Sequence, residues 1–362
     1  MPCKSRQFSI AKLCPIIAKS GDWSTPDREP PESNPHKPSR PASPNPIRSN
    51  PHNLTLLTVM STESYLPPDG PNQTYITLSA LDAGYLWLPE REFIDPCNEN
   101  AVHKAPSLSF FLSHPSGTKI VYDLGIRKDW RGYPRAFVIR VESGTRKIDV
   151  SKDVKDSVIA GGIDPAEVDV VIVSHIHYDH TGNPDQFPNA KYHIGPGSLE
   201  LIESSRDIPE DDNWFTEELL PSDKNVIQQF PPYTSSEWKA LGPFEKTIDY
   251  FKDGSFYLVD STGHLPGHIN GLVRIGPNRF VYLASDSCHF TSILSGECGI
   301  AIYTDEHGNP KCVHSDKGAA EAHVKKIQEL RDRGGKNIEI VLAHELGWED
   351  KHRDRFLPGK FT

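Results

Sequence analysis

Sulfur is scarce in this chain. Its 362 residues contain two methionines and six cysteines (Cys3, Cys14, Cys97, Cys288, Cys298 and Cys312), with no C-x-x-C pair and no dense cysteine framework. That excludes a zinc ribbon and a disulfide scaffold, and leaves free thiols in a reducing compartment, the cytoplasm, as the expectation. Long apolar runs are absent too. With no stretch of about eighteen apolar residues, no membrane-spanning helix is expected. Basic residues are outnumbered, 39 Lys and Arg against 49 Asp and Glu, for a formal net charge of −10. The basic face that a nucleic acid would need is therefore not expected, and a small-molecule partner fits better. No repeat of fixed period stands out, and no Gly-rich flavin or nucleotide motif follows residue 350. The 36% hydrophobic content suits one large core or two modest ones.

Residues 1–71 are short of apolar side chains and dominated by Pro, Ser, Asn and Arg, as in Pro38-Ser39-Arg40-Pro41-Ala42-Ser43-Pro44. Such a segment cannot bury enough apolar area to offset its ordering entropy, so it reads as a disordered extension ahead of a domain at 72–362. Its first twenty residues carry Lys4, Arg6, Lys12 and Lys19 and no acid, a pattern with a faint mitochondrial transit character. Met60, close to where the composition turns globular, makes the first 59 residues a candidate upstream extension.

From Tyr75 the alternating pattern to Leu81 predicts a strand. Ser107–Gly125 predicts a hairpin turning at Pro115-Ser116-Gly117. Asp123 ends its second arm, where a turn cap or a supporting carboxylate belongs. A helix is expected from Ser151 to the Gly161-Gly162 stop, then a buried β-branched strand over Val168–Val173. Irregular, aromatic sequence follows for some forty residues, including Trp214, Phe215, Phe230, Tyr233 and Trp238. It reads as a binding lid or as packing, a homodimer contact included. Strands return at Phe256–Asp260, Gly271–Ile275 and Arg279–Ser285. A helix from Ser315 to Arg333 precedes a last strand, Ile338–Ala343. Strands on both sides of isolated helices fit an α/β sandwich better than a barrel or a doubly wound sheet.

The chemistry lies where those strands end. Directly after the buried run stand His175, His177, Asp179 and His180 in Ser174-His175-Ile176-His177-Tyr178-Asp179-His180. Alternate residues of an extended chain point the same way, so His175 and His177 can face one ion. Asp179 and His180, in the next turn, can face a second. Imidazole and carboxylate donors suit borderline divalent ions such as zinc. A His-rich surface turn is the plain alternative, and the buried strand behind the cluster speaks against it. His268, Asp286 and His344 share the layout, each at a strand end or in the turn beyond it.

These features resemble the metallo-β-lactamase-fold superfamily of hydrolases over about residues 74–350, the H-x-H-x-D-H signature being the most specific part. The resemblance implies a four-layer αβ/βα sandwich with two zinc ions at one edge of its two sheets. By residue, it implies His175, His177 and His268 on one zinc, Asp179, His180 and His344 on the other, and Asp286 bridging. His264, the first histidine of Gly263-His264-Leu265-Pro266-Gly267-His268, would then be a turn or supporting residue. True β-lactamases of the fold lack the bridging Asp. The sequence flanking the signature is most similar to N-acyl-homoserine-lactonase-like enzymes and their fungal lactonase and lactamase relatives. That implies opening of a lactone or lactam (cyclic carbamate) ring by a hydroxide held between the ions, with Asp179 moving the proton. Where such lactonases carry a Tyr three residues after the bridging Asp, this chain has His289, a candidate donor to the ring carbonyl. A thioesterase of the glyoxalase II type and a non-catalytic ligand-binding member are the alternatives. The missing Gly-Gly after the signature (Asn183-Pro184 follow Gly182) disfavours the first, and the complete ligand set disfavours the second.

Overall fold

A computed structural model describes residues 65–305 and 308–362. The expectations for residues 1–64, disorder, the transit signal and the Met60 boundary, lie outside the described residues. Two six-stranded sheets form the body. The first holds β1 (Thr77–Leu81), β2 (Ser109–Ser113), β3 (Lys119–Tyr122), β4 (Val170–Val173), β5 (Lys191–Ile194) and β6 (Ile227–Gln229), in that spatial order. The second holds β7 (Lys239–Leu241), β8 (Phe244–Asp249), β9 (Phe256–Asp260), β10 (Ile269–Gly276), β11 (Arg279–Ser285) and β12 (Ile338–Leu342). β3 to β6 run parallel, as do β11 and β12, and the other neighbours are antiparallel.

Every residue of β4 is buried, as a central parallel strand covered on both faces requires. The inner faces, including Leu112, Ile120 and Ile172 from one sheet and Leu258, Val273 and Val281 from the other, share a core between the sheets. Tyr122 crosses it, its hydroxyl donating to the Ile269 carbonyl at 2.8 Å. The outer faces gather with helices: Val121 and Val171 with Phe137, Val154 and Val158, and Leu272 and Tyr282 with Val324, Ile327 and Leu330. The layers are those of the expected αβ/βα sandwich.

Differences from the sequence reading have local causes. The helix expected from Ser151 starts at Val154, because Asp153 accepts from the Asp156 amide at 3.0 Å while Asp156 accepts from the Asp153 amide at 3.2 Å. The later helix starts as its Ser315-Asp316 cap predicts: Asp316 accepts from the Ala319 amide ahead of the helix Lys317–Gly334. A three-stranded sheet of Tyr85–Pro89, Val102–Pro106 and Ile148–Asp149 was not anticipated. Residues 65–71, assigned from composition to the extension, are held against the domain. Leu66 is buried, and the Arg274 guanidinium, itself buried, donates to the Asp69 carboxylate at 2.6 Å and the Pro67 carbonyl at 2.9 Å. Of the aromatic segment, Trp238 joins the core between the sheets, and Phe244 stacks on Tyr282 at 5.2 Å.

Candidate functional site

The ends of β4, β11 and β12 and the turn between β9 and β10 meet at one edge. β4 delivers His175 and His177, and the helical turn Tyr178–Thr181 presents Asp179 and His180. Asp286 follows β11 directly, and His344 stands two residues beyond β12. Their ligand atoms form two groups, His175, His177, His264 and Asp286 in one, Asp179, His180, Asp286 and His344 in the other, each with its atoms within 4.8 Å of one another. Asp286 belongs to both. Its Oδ1 lies 3.2 Å from His180 Nε2 and 3.2 Å from His344 Nε2, and its Oδ2 lies 3.4 Å from His264 Nε2 and 3.7 Å from His175 Nε2.

Six of the seven expected ligand residues thus meet here, and the seventh, His268, lies outside both groups. His264, not His268, completes the first group. His268 abuts β10 and is in phase with Asn270, whose amide meets His323 of the helix Lys317–Gly334 at 3.2 Å. Its Nδ1 faces the Ser261 carbonyl at 3.1 Å, and its Nε2, buried without a partner, stands outside both groups. His264, four residues earlier in the turn, is free of that alternation and reaches His177 Nδ1 at 2.9 Å.

The arrangement fits cations. His177 Nδ1 lies 2.9 Å from both His175 Nε2 and His264 Nε2, so three imidazole nitrogens converge beside a carboxylate oxygen. His180 Nε2 and Asp286 Oδ1 are buried with no hydrogen-bond partner. Burial, with the facing imidazoles His180 and His264, keeps His175 well below the usual imidazole range, and burial brings His177 down to about 4. Both are then neutral, as metal ligands must be, whereas at His180 and His344 burial is outweighed by the neighbouring carboxylates, Asp286 foremost, which hold the imidazole above its usual range. Burial opposes the charge on Asp286, but His180, His344 and His289 outweigh it and hold that carboxyl well below its usual range. The outward nitrogens are pinned. His180 Nδ1 lies 2.9 Å from the Asp123 carboxylate, which also accepts from the Ser174 amide at 2.6 Å and hydroxyl at 2.8 Å. His344 Nδ1 lies 2.7 Å from the Pro106 carbonyl. Asp123 is therefore a supporting carboxylate.

Above the site opens a cavity of about 160 Å³ whose floor includes His177, Asp179, Asp286, His289 and His344. His289 Nε2 lies 3.1 Å from Asp286 Oδ2, its ring sits 4.7 Å from Phe93, and its Nδ1 is buried without a partner. Trp214 and Phe215, from the aromatic segment, line one wall, Phe215 lying 5.7 Å from the His177 ring. Trp87, Phe93 and Tyr303, which sequence reasoning had not singled out, line the remainder with Arg146 and Lys311.

A sequence profile of the Metallo-beta-lactamase superfamily matches residues 105–284. The gamma-lactamase MBL2 of Gibberella moniliformis is 33% identical over 178 residues, which are 47% of this chain and 70% of that protein. The chain belongs to the metallo-beta-lactamase superfamily. Its histidine and aspartate cluster, able to hold metal ions, lies at the sheet edge. Cytochrome P450 monooxygenase mpaDE' of Penicillium brevicompactum is 30% identical over 267 residues, 68% of this chain, but the chain spans only 30% of that relative's length. The N-acyl homoserine lactonase AttM of Agrobacterium fabrum is 24% identical over 75% of this chain and 94% of its own. Among solved structures, an N-acyl homoserine lactone hydrolase with the product N-hexanoyl-L-homoserine at its metal centre superimposes with a TM-score of 0.59 at 16% identity, over 80% of this chain and all of that one. That likeness speaks to the fold. No described helix is long and apolar enough to cross a membrane.

Proposed function

We propose that this protein is a metal-dependent hydrolase that holds two zinc ions and opens a lactone or lactam (cyclic carbamate) ring. The observation that carries the reading is the division of Asp286, one oxygen turned to each of two groups of histidine and carboxylate donors. His175, His177 and His264 would hold one ion, Asp179, His180 and His344 the other, with Asp286 between. The ions would supply Lewis acidity, acidifying water near neutral pH and polarising the substrate carbonyl.

The chain's own residues do the rest. The aromatic walls bind a compact apolar substrate and keep bulk water from the floor, where charge interactions gain strength. Asp179 lines the cavity beside His344, its carboxylate 3.4 Å from that ring, and is placed to take a proton from the attacking water. His289 donates to Asp286 through Nε2. In its protonated form it carries a second N–H, at Nδ1, that can be delivered to the ring oxygen or nitrogen as the ring opens. Relatives named as lactonase and gamma-lactamase support the ring-opening chemistry.

The test is to load the purified protein with zinc and screen lactones, lactams and thioesters in parallel. Ring opening that is lost on chelation and absent from Asp286→Ala is expected. Thioester hydrolysis with inert rings would favour the glyoxalase II-like alternative, and turnover unaffected by full metal removal would overturn the site.

A further inference from the structure

We propose that His314 is a positioning residue of this site, holding the His264 ring so that Nε2 faces the metal position. The proposal rests on the metal-site reading above. A ligating imidazole is neutral, with one nitrogen on the ion and a proton on the other, and that N–H needs an acceptor to fix the ring and its tautomer. For His180 the acceptor is the Asp123 carboxylate and for His344 the Pro106 carbonyl. His175 Nδ1 has the Ser174 hydroxyl at 3.1 Å. His264 has another imidazole. Its Nε2 points at His177 Nδ1 and Asp286 Oδ2, and its Nδ1 lies 3.3 Å from His314 Nδ1.

With Nε2 of His264 on the metal, its Nδ1 carries a hydrogen and donates it, so His314 Nδ1 is the acceptor and His314 bears its own hydrogen on Nε2, which is buried without a hydrogen-bond partner. His314 is buried, and the segment carrying it is laced to the turn beneath. The Ser315 amide donates to the His264 carbonyl at 2.9 Å, the Ser315 hydroxyl to the same oxygen at 3.0 Å, and the Asp316 amide to the Gly263 carbonyl at 2.8 Å. Backbone bonds thus set where His264 stands, and the His314 lone pair sets which way its ring turns.

Two variants separate orientation from packing. His314→Leu fills the space without an acceptor, and His314→Asn returns an oxygen near the place of Nδ1. Chelator competition on protein loaded with zinc, and absorption spectra of protein loaded with cobalt, read the two ions separately. In His314→Leu, one ion should bind roughly 10- to 100-fold more weakly, the cost typical of losing such a support, and the other as before. Its cobalt spectrum should change, and His314→Asn should recover most of the affinity. Wild-type affinity for both ions in His314→Leu would overturn the proposal while leaving the metal site standing. So would a loss that His314→Asn fails to rescue although its melting temperature equals that of wild type. A wild-type protein that binds no metal would overturn both readings together.

Discussion

At the residue scale, the decisive comparison is between two histidines four positions apart. His264 reaches the shared cluster, whereas His268, buried with its ring 4.9 Å from that of His175, lies outside both groups of donors. His264→Ala should lose one equivalent of bound metal with its activity. His268→Ala should keep both equivalents and lower the melting temperature. Elemental analysis and calorimetry on the two variants check this, and the reverse pattern would restore His268 as the ligand. Asp123 supports His180 from behind, so Asp123→Ala should cut metal affinity or activity roughly 10- to 100-fold. Chelator titration measures it, and an unchanged affinity would reduce Asp123 to a turn residue.

At the scale of elements, the turn that carries His264 is pressed against the loop after β5. A Cβ on Gly195 would lie 1.9 Å from the Gly267 carbonyl oxygen, a backbone atom that cannot swing aside. Gly195→Ala should therefore destabilise the fold by about 1–3 kcal/mol, as overpacking does. It should also weaken metal binding, because the displaced turn holds a ligand. Thermal melts with and without zinc would show both effects, and a variant with normal affinity would mean that the turn tolerates the shift. The capping box at Asp153 is a simpler case: Asp153→Ala should cost about 1 kcal/mol in denaturant unfolding and leave metal binding unchanged.

For the molecule as a whole, the stretch from Tyr65 to Gln73 works as a clasp. Arg274 is buried, and its charge is met by Asp69, which composition alone had assigned to the extension. Burial works against the Asp69 charge, but the Tyr75 hydroxyl, the Asn278 amide and Arg274 hold its carboxyl below the usual range. The sign follows: its stabilisation is complete above the ordinary carboxylate pKa of about 4 and is lost as pH falls through the lower folded value. Asp69→Asn should cost about 1.5–3 kcal/mol at neutral pH, the worth of a hydrogen bond between charged groups, because Arg274 is buried while Asp69 is part-exposed. Melting temperatures of variant and parent should converge in acid. A gap that persists there would point to packing instead. A chain beginning at residue 72 should show the same loss.

What the sequence determined by itself is the set of buried strands and what they carry at their ends. β-branched runs such as Val170–Val173 specify strands locally, and H-x-H-x-D-H follows one directly, so the first half of the site and the class of fold were legible. Asp286 and His344 were legible for the same reason. Only the tertiary structure decided between His264 and His268, because that choice depends on how the turn between β9 and β10 folds against His177 and Asp286. It alone set His314 behind His264, joined Asp69 to Arg274 across 205 positions, and raised walls from Trp87, Phe93 and Tyr303. Those contacts join segments far apart in the chain, and no local periodicity or motif records them.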